Sequence, residues 1–198
     1  EVTIHTFVEV KSGDAKLGLD YGILIGDLFL NWSNQLISGV GSSLLSEAFH
    51  AMTEMTVLGQ IKDITLRGNQ QADSSEIRQK DIEKTAYYTF VHPMIMGGIL
   101  SKSSINADFL KELGTKLGIG FQIQDDLIDV ISDKSGKARF GDMKEGQPTQ
   151  MYCYALENSS PEDQATLRGL LGETDIQSHE GSLMQIFADS GALKWANM

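Results

Sequence analysis

The run Phe121-Gln122-Ile123-Gln124-Asp125-Asp126-Leu127-Ile128-Asp129 sets three carboxylates within five residues of an otherwise apolar stretch from Leu117 to Ile131. A stretch with so few polar positions cannot lie wholly on a surface, so it predicts a helix with much of its circumference covered. On that helix Asp125 and Asp129 stand one turn apart on the same face, and Gln122 lies one turn earlier. Asp126 sits about 100° round the axis. Like charges one turn apart destabilise a bare helix by about 0.2–0.5 kcal/mol. A hard divalent cation between the oxygens turns that repulsion to use, since magnesium prefers one or two carboxylates plus substrate phosphates. A solvated acidic face is the plainer reading of such a cluster, and the apolar flanks count against it.

Composition narrows the rest. The 198 residues suit a single domain spanning 1–198. Net charge is −11, which argues against a nucleic-acid groove or an anionic membrane surface as partner. An acidic chain still binds diphosphates where metal ions mediate, and clustered acids are then the metal's ligands. The single Cys153 excludes an internal disulfide framework, fits a reducing cytoplasm and reads as a small buried residue. The most apolar run, Gly22 to Trp32, is interrupted by Asp27 and falls short of the ~20 residues of a membrane span. Asp27 is expected to be a buried acid satisfied by a neighbouring helix. The chain opens on Glu1 rather than Met, so it is expected to lack its natural beginning.

Helix signals dominate. Residues 15–38 read as a mostly buried helix and 42–67 as another, stopped by Gly68-Asn69. Residues 74–100 form a third, with a kink expected at Pro93, and 105–132 hold the acidic cluster. Ser160-Pro161-Glu162-Asp163 places a cap, a first-turn proline and first-turn acids, so a helix runs from there to about Leu171 and stops at Gly172. A last helix covers 176–189. In residues 1–13, Val2, Ile4, Val8 and Val10 alternate with mostly polar neighbours; an isolated strand would have nothing to pair with, so the segment is expected to be a loop leading into a helix.

Several motifs fall in order along the chain. Gly22-Ile23-Leu24-Ile25-Gly26-Asp27, Gly59-Gln60-Ile61-Lys62-Asp63, Lys84-Thr85-Ala86 and the Phe121–Asp129 run are followed by Gly136-Lys137 and Gly141-Asp142. Together they resemble the trans-isoprenyl diphosphate synthases, the family of farnesyl and geranylgeranyl diphosphate synthases, with its AILAGD, GQxxD, KTA and second DDxxD motifs. The resemblance implies an all-α isoprenoid synthase bundle around a central cavity, here without its N-terminal helices. It implies head-to-tail condensation of isopentenyl diphosphate with an allylic diphosphate, magnesium as cofactor, and a homodimer with no nucleic acid and no membrane insertion.

Under that reading Asp125 is the direct metal ligand, with Asp126 and Asp129 beside or behind it. Lys84 and Lys137 hold diphosphate oxygens as point charges. Thr85 and Gln122 turn oxygens toward the developing cation. Phe121, Gln60 and Asp63 join Lys84, Gln122 and Lys137 in binding substrate. Without the family, Lys84 and Lys137 read as solvated residues, and Gln60 with Asp63 as a hydrogen-bonded pair. The four histidines show no metal-ligand spacing.

Two departures stand out. The family's first aspartate-rich motif and its arginines are absent and are expected before Glu1, so this chain alone is expected to be inactive. Gln147 stands where the family usually has a lysine on diphosphate, and Lys144 is the nearest substitute. A non-catalytic partner subunit lacking the first motif is the alternative from another class. A terpene cyclase of the same fold is disfavoured by the intact DDxxD.

Overall fold

Caps written into the sequence start and stop most of the helices. Thr3 opens α1 (Ile4–Ser12) by accepting from the Thr6 N–H, and Gly13, at φ 72°, closes it by donating to the Glu9 carbonyl. Asp14 accepts from the Leu17 N–H to open α2 (Ala15–Gly39). After α3 (Ser43–Leu66), Asp73 and Glu76 form a reciprocal capping box at the start of α4 (Ser74–Asp81). A π-helical segment, Ile82–Val91, continues directly from it into α5 (His92–Leu100). The long α6 (Ala107–Ile131) is followed by α7 (Gly141–Lys144), α8 (Gln150–Asn158) and α9 (Pro161–Leu170). A 3₁₀ turn (Ile176–His179) leads into α10 (Glu180–Asp189) and α11 (Ala192–Ala196). The computed structural model describes residues 2–104, 106–131 and 139–198; Gly136 and Lys137 lie outside the described residues. The expected all-α class is met: no strand occurs among the described residues.

Three expectations need correction. Residues 4–12 are helical rather than a loop, because Thr3 and Gly13 cap both ends and because α1 lies against α2. A Cβ on Gly18 of α2 would stand 2.5 Å from the His5 carbonyl oxygen, so the missing side chain is what lets the two backbones meet. Pro93 is not the only irregularity of residues 74–100. The ten residues ahead of His92 are π-helical, with the His92 N–H bonded five residues back to Tyr87, and Pro93, which has no N–H to donate, follows at the junction with α5. Residues 15–39 are helical as expected but mostly exposed rather than mostly buried, Gly18 alone being buried, and Asp27 is exposed with them rather than a buried acid.

The chain divides into two compact units, Glu1–Phe49 and His50–Met198, the division falling inside α3. In the first, α1 and α2 form a helical pair. The second holds a continuous apolar core in which Ile77, Leu127, Phe140, Met151, Tyr152, Leu167, Leu183 and Phe187 are almost wholly buried. Here α8 is covered on most sides, burying Met151, Tyr152, Cys153, Ala155 and Leu156. Tyr154 stacks on Trp195 of α11 at 4.9 Å between ring centroids, and Gln124 of α6 donates to the Ala196 carbonyl at 2.7 Å. Burial pushes the Cys153 thiol up to about 12, so it stays protonated and is a packing residue, not a nucleophile.

Small residues clamp the π segment on two sides. A Cβ on Gly59 of α3 would overlap the Lys84 backbone nitrogen, and one on Gly118 of α6 would overlap Ala86. At Gly114, one turn earlier, a Cβ would come within 2.9 Å of Val91. The glycine of the GQxxD motif and the alanine of KTA are therefore close-packing positions. They fix the height at which Lys84 and Thr85 are presented.

Candidate active site

Residues 83 to 86 of the π segment face alternate neighbours. Glu83 and Lys84 engage α3: Lys62 Nζ lies 2.6 Å from Glu83 Oε1, and Lys84 Nζ 2.7 Å from Asp63 Oδ2. Thr85 and Ala86 engage α6: the Thr85 hydroxyl donates to Gln122 Oε1 at 2.8 Å, and Ala86 sits over Gly118. The Gln122 amide in turn donates to Asp126 Oδ1 at 2.9 Å. The result is a relay, Thr85 to Gln122 to Asp126, beside a Lys84–Asp63 ion pair.

A cleft of about 270 Å³ brings these groups together. Gln60, Asp63 and Arg67 of α3 and the residue after it line it with Lys80, Lys84, Gln122 and Asp126. Asp142, Glu145, Gln147 and Thr149 complete it from α7 and the turn that follows. Gln60 donates to Asp63 at 3.4 Å. Lys80 is buried, its ammonium 3.2 Å from Asp81 and 3.6 Å from Asp63, and Gln150 donates to Asp81 at 2.7 Å. Asp126 is 4 % exposed and its Oδ2 has no hydrogen-bond partner. Burial, and then the charge of Asp81, pushes its carboxyl up to about 8. Asp142 is pushed up to about 6 by burial and by the charge of Asp129.

Of the residues singled out from the sequence, Gln60, Asp63, Lys84, Gln122 and Asp126 line this one cleft, and Thr85 is bonded to it through Gln122. Three others are not among the lining residues, although the charges of Asp129 and Asp125 both act on Asp142, which is. Asp125 is exposed. Asp129 accepts from the backbone N–H groups of Gly141 and Asp142 at 3.1 and 3.2 Å, holding the entry to α7; burial raises its carboxyl above the ordinary range. Phe121 is half exposed, its ring edge-on to Phe90. The helical repeat grouped Gln122 with Asp125 and Asp129, but its bond runs to Asp126, four residues on. Arg67, Lys80 and Asp142 were not assigned roles from the sequence. For Lys80 a faint signal existed, its place one turn before Lys84.

Hard oxygen donors are the right chemistry for magnesium, and Asp126 Oδ2 is a buried acceptor with nothing to accept from. Among the described residues no group of three or more His, Cys, Asp or Glu side chains is set to enclose an ion alone. Magnesium usually keeps waters or substrate phosphates in its shell, so one or two carboxylates suffice for it. The residues present fit the ion.

The Polyprenyl synthetase family model matches residues 9–189. A short chain isoprenyl diphosphate synthase of Methanothermobacter thermautotrophicus is 30 % identical, over 98 % of this chain and 66 % of its own. A nonaprenyl diphosphate synthase of Mycobacterium tuberculosis is 32 % identical, over 81 % and 48 % respectively. The crystal structure of geranylgeranyl pyrophosphate synthase from Corynebacterium glutamicum, complexed with isoprenyl diphosphate and magnesium, superposes with a TM-score of 0.87 at 27 % identity, covering 98 % of this chain and 59 % of that one. The chain thus spans about half to two thirds of the length of the relatives it matches. With a family model covering nearly its whole length, the chain belongs to the polyprenyl synthetase family.

Proposed function

We propose that this chain carries the diphosphate-handling wall of a magnesium-dependent prenyltransferase. The reaction joins an allylic diphosphate head-to-tail to isopentenyl diphosphate. The single observation that carries the reading is the cleft where the Lys84–Asp63 pair meets the Thr85–Gln122–Asp126 relay with its partnerless carboxylate oxygen.

In this reading the C1–O bond of the allylic substrate breaks and its electron pair leaves with diphosphate. The double bond of isopentenyl diphosphate then attacks C1, and the proton shed from C2 of the isopentenyl unit passes to diphosphate. Asp126 would hold magnesium, with Asp142 and the neighbouring Asp125 and Asp129 offering further oxygens. Magnesium, when bound, neutralises charge on the departing diphosphate.

Lys84 has three N–H donors. One is used on Asp63, which fixes the ammonium and leaves two for diphosphate oxygens. The Thr85 proton is committed to Gln122, so the lone pairs of its oxygen are oriented in advance toward positive charge developing at C1. Such fixed dipoles need no reorganisation as the charge appears.

The reading extends to one isoprenoid synthase domain acting as a homodimer in a reducing cytoplasm. No helix among the described residues is long and apolar enough to cross a membrane.

The test is an assay of the protein as encoded, with labelled isopentenyl diphosphate and allylic primers of increasing length, with and without Mg²⁺. Elongated product that requires Mg²⁺ is expected, its length being read from the assay. No product with any primer would defeat the enzyme reading and favour a non-catalytic partner subunit.

A further inference from the structure

We propose that Arg67 is a diphosphate-binding residue of this cleft, and that Gln147 is the positioning residue that holds it there. The proposal rests on the diphosphate reading of the site given above.

Arg67 directly follows the last residue of α3, one turn beyond Asp63. Its neighbour Gly68 donates its N–H to the Gly146 carbonyl at 2.7 Å. Both glycines have positive φ, 74° and 73°, a conformation open to few other residues. A Cβ on Gly146 would come within 3.3 Å of the Gly68 nitrogen and 3.5 Å of Arg67 Cγ. The two segments are thus locked side by side, and the stem of Arg67 lies along the bare backbone of Gly146.

The Gln147 side chain completes the arrangement. One orientation of its amide pairs it with Arg67: the nitrogen donates to the Asp63 backbone carbonyl at 3.2 Å, and the oxygen accepts from Arg67 Nε and Nη2 at 3.2 and 3.1 Å. The other keeps a single long bond, from the nitrogen to Asp63 Oδ2 at 3.4 Å. The reverse orientation would set N–H donors against the guanidinium. Gln147 is 8 % exposed, so this orientation is held by its surroundings. Arg67 itself is exposed and lines the cleft.

A guanidinium has five N–H donors in a rigid plane, and Gln147 occupies two of them. The remainder form the fork that suits paired phosphate oxygens. Four carboxylates and three cations line the cleft, so each cation weighs heavily in whether an anion can enter. The arrangement bears on the absence of a lysine at 147. The amide relocates the positive charge to Arg67, whereas Lys144 is exposed and is not among the residues lining the cleft.

The test measures inorganic pyrophosphate binding with Mg²⁺ by calorimetry, and KM for the allylic primer, in the protein as encoded. Arg67→Met is expected to weaken both by roughly ten- to a hundredfold, the worth of hydrogen bonds to a charged group, with the melting temperature kept. Gln147→Leu should weaken both by less, and Arg67→Met/Gln147→Leu should be no worse than Arg67→Met alone, because one residue acts through the other. Arg67→Met/Gln147→Lys should recover most of the loss.

Parent-like binding in Arg67→Met would overturn the proposal, as would losses that multiply in the double variant or a lysine at 147 that restores nothing. Loss in Lys144→Met with none in Arg67→Met would do the same. A parent protein that binds pyrophosphate through Arg67 yet makes no product sinks the prenyl-transfer reading alone. A productive parent indifferent to Arg67→Met sinks only this inference.

Discussion

Two regions of the larger unit are about equally buried and are built from opposite materials. Under α8 to α11, Leu167 and Phe187 are 0 % and 1 % exposed; at the back of the cleft, Asp81, Asp63 and Asp126 are 1 %, 3 % and 4 % exposed. Burying the first set stabilises the fold by about 1.5–3 kcal/mol per side chain. Burying the second set costs desolvation, and an apolar wall of the same shape would be as stable or more so. The contrast teaches that stability is rooted in the apolar cluster. On the function proposed above, the charged wall is explained by what it binds.

The largest effect expected from breaking this contrast is on the apolar side. Phe187→Ala should cost about 3–5 kcal/mol and lower the melting temperature in proportion, while the fraction still folded keeps its turnover. Asp126→Ala should do the reverse. Turnover should fall by about a hundredfold or more, as for groups that hold a catalytic metal or its ligands, with no fall in melting temperature. Calorimetry and product assay on the same preparations check both. Near-normal turnover in Asp126→Ala with a collapsed melting temperature would erase the distinction.

A smaller effect tests the join between the regions. Gly118→Ala places a methyl group into Ala86 and should cost about 1–3 kcal/mol by overpacking. Because the displaced segment carries Lys84 and Thr85, turnover should fall along with stability, and Ala86→Gly in the same chain should recover part of both. Stability lost without any change in turnover would show that the π segment does not set the site's geometry.

The smallest effect is one of pH. His92 is buried, and neither ring nitrogen has a hydrogen-bond partner. Burial, and then the positive charge of Lys111, holds its pKa below the ordinary histidine value, about 6.5. The folded state therefore favours the neutral ring. As pH falls below about 6.5 the unfolded chain takes up a proton that the folded chain refuses, so stability falls with falling pH until the folded pKa is passed. Melting temperatures from pH 8 to 5 should decline less steeply in His92→Phe than in the parent. An unchanged slope would show that the ring does not titrate as described.

Much of the fold was legible because its signals are local. Ser160-Pro161 and Gly172 bounded α9, and Gly68 marks the stop after α3, since a cap acts within one turn of the residue that supplies it. α8 went unseen for the opposite reason: buried on most sides, it carries no polar stripe to reveal a helical period. Residues 4–12 misled because their valine alternation imitates a strand, while contact with Gly18 decides the matter from outside the segment. At the site, Lys84, Asp63, Gln122 and Asp126 were found from motifs. Arg67 was not, because its meaning depends on Gln147, eighty residues away, and on two left-handed glycines that seat it. The preference of Gln122 for Asp126 over Asp125 likewise follows from which side of α6 faces Thr85, which no spacing along the helix decides.

The most direct test of the central claim is calorimetric binding of inorganic pyrophosphate to the protein as encoded, with and without Mg²⁺, in parent and Lys84→Met forms. The account predicts binding that requires Mg²⁺ and is weakened at least tenfold, about 1.4 kcal/mol, by the loss of the lysine. Binding of equal strength without Mg²⁺ and without Lys84 would contradict it.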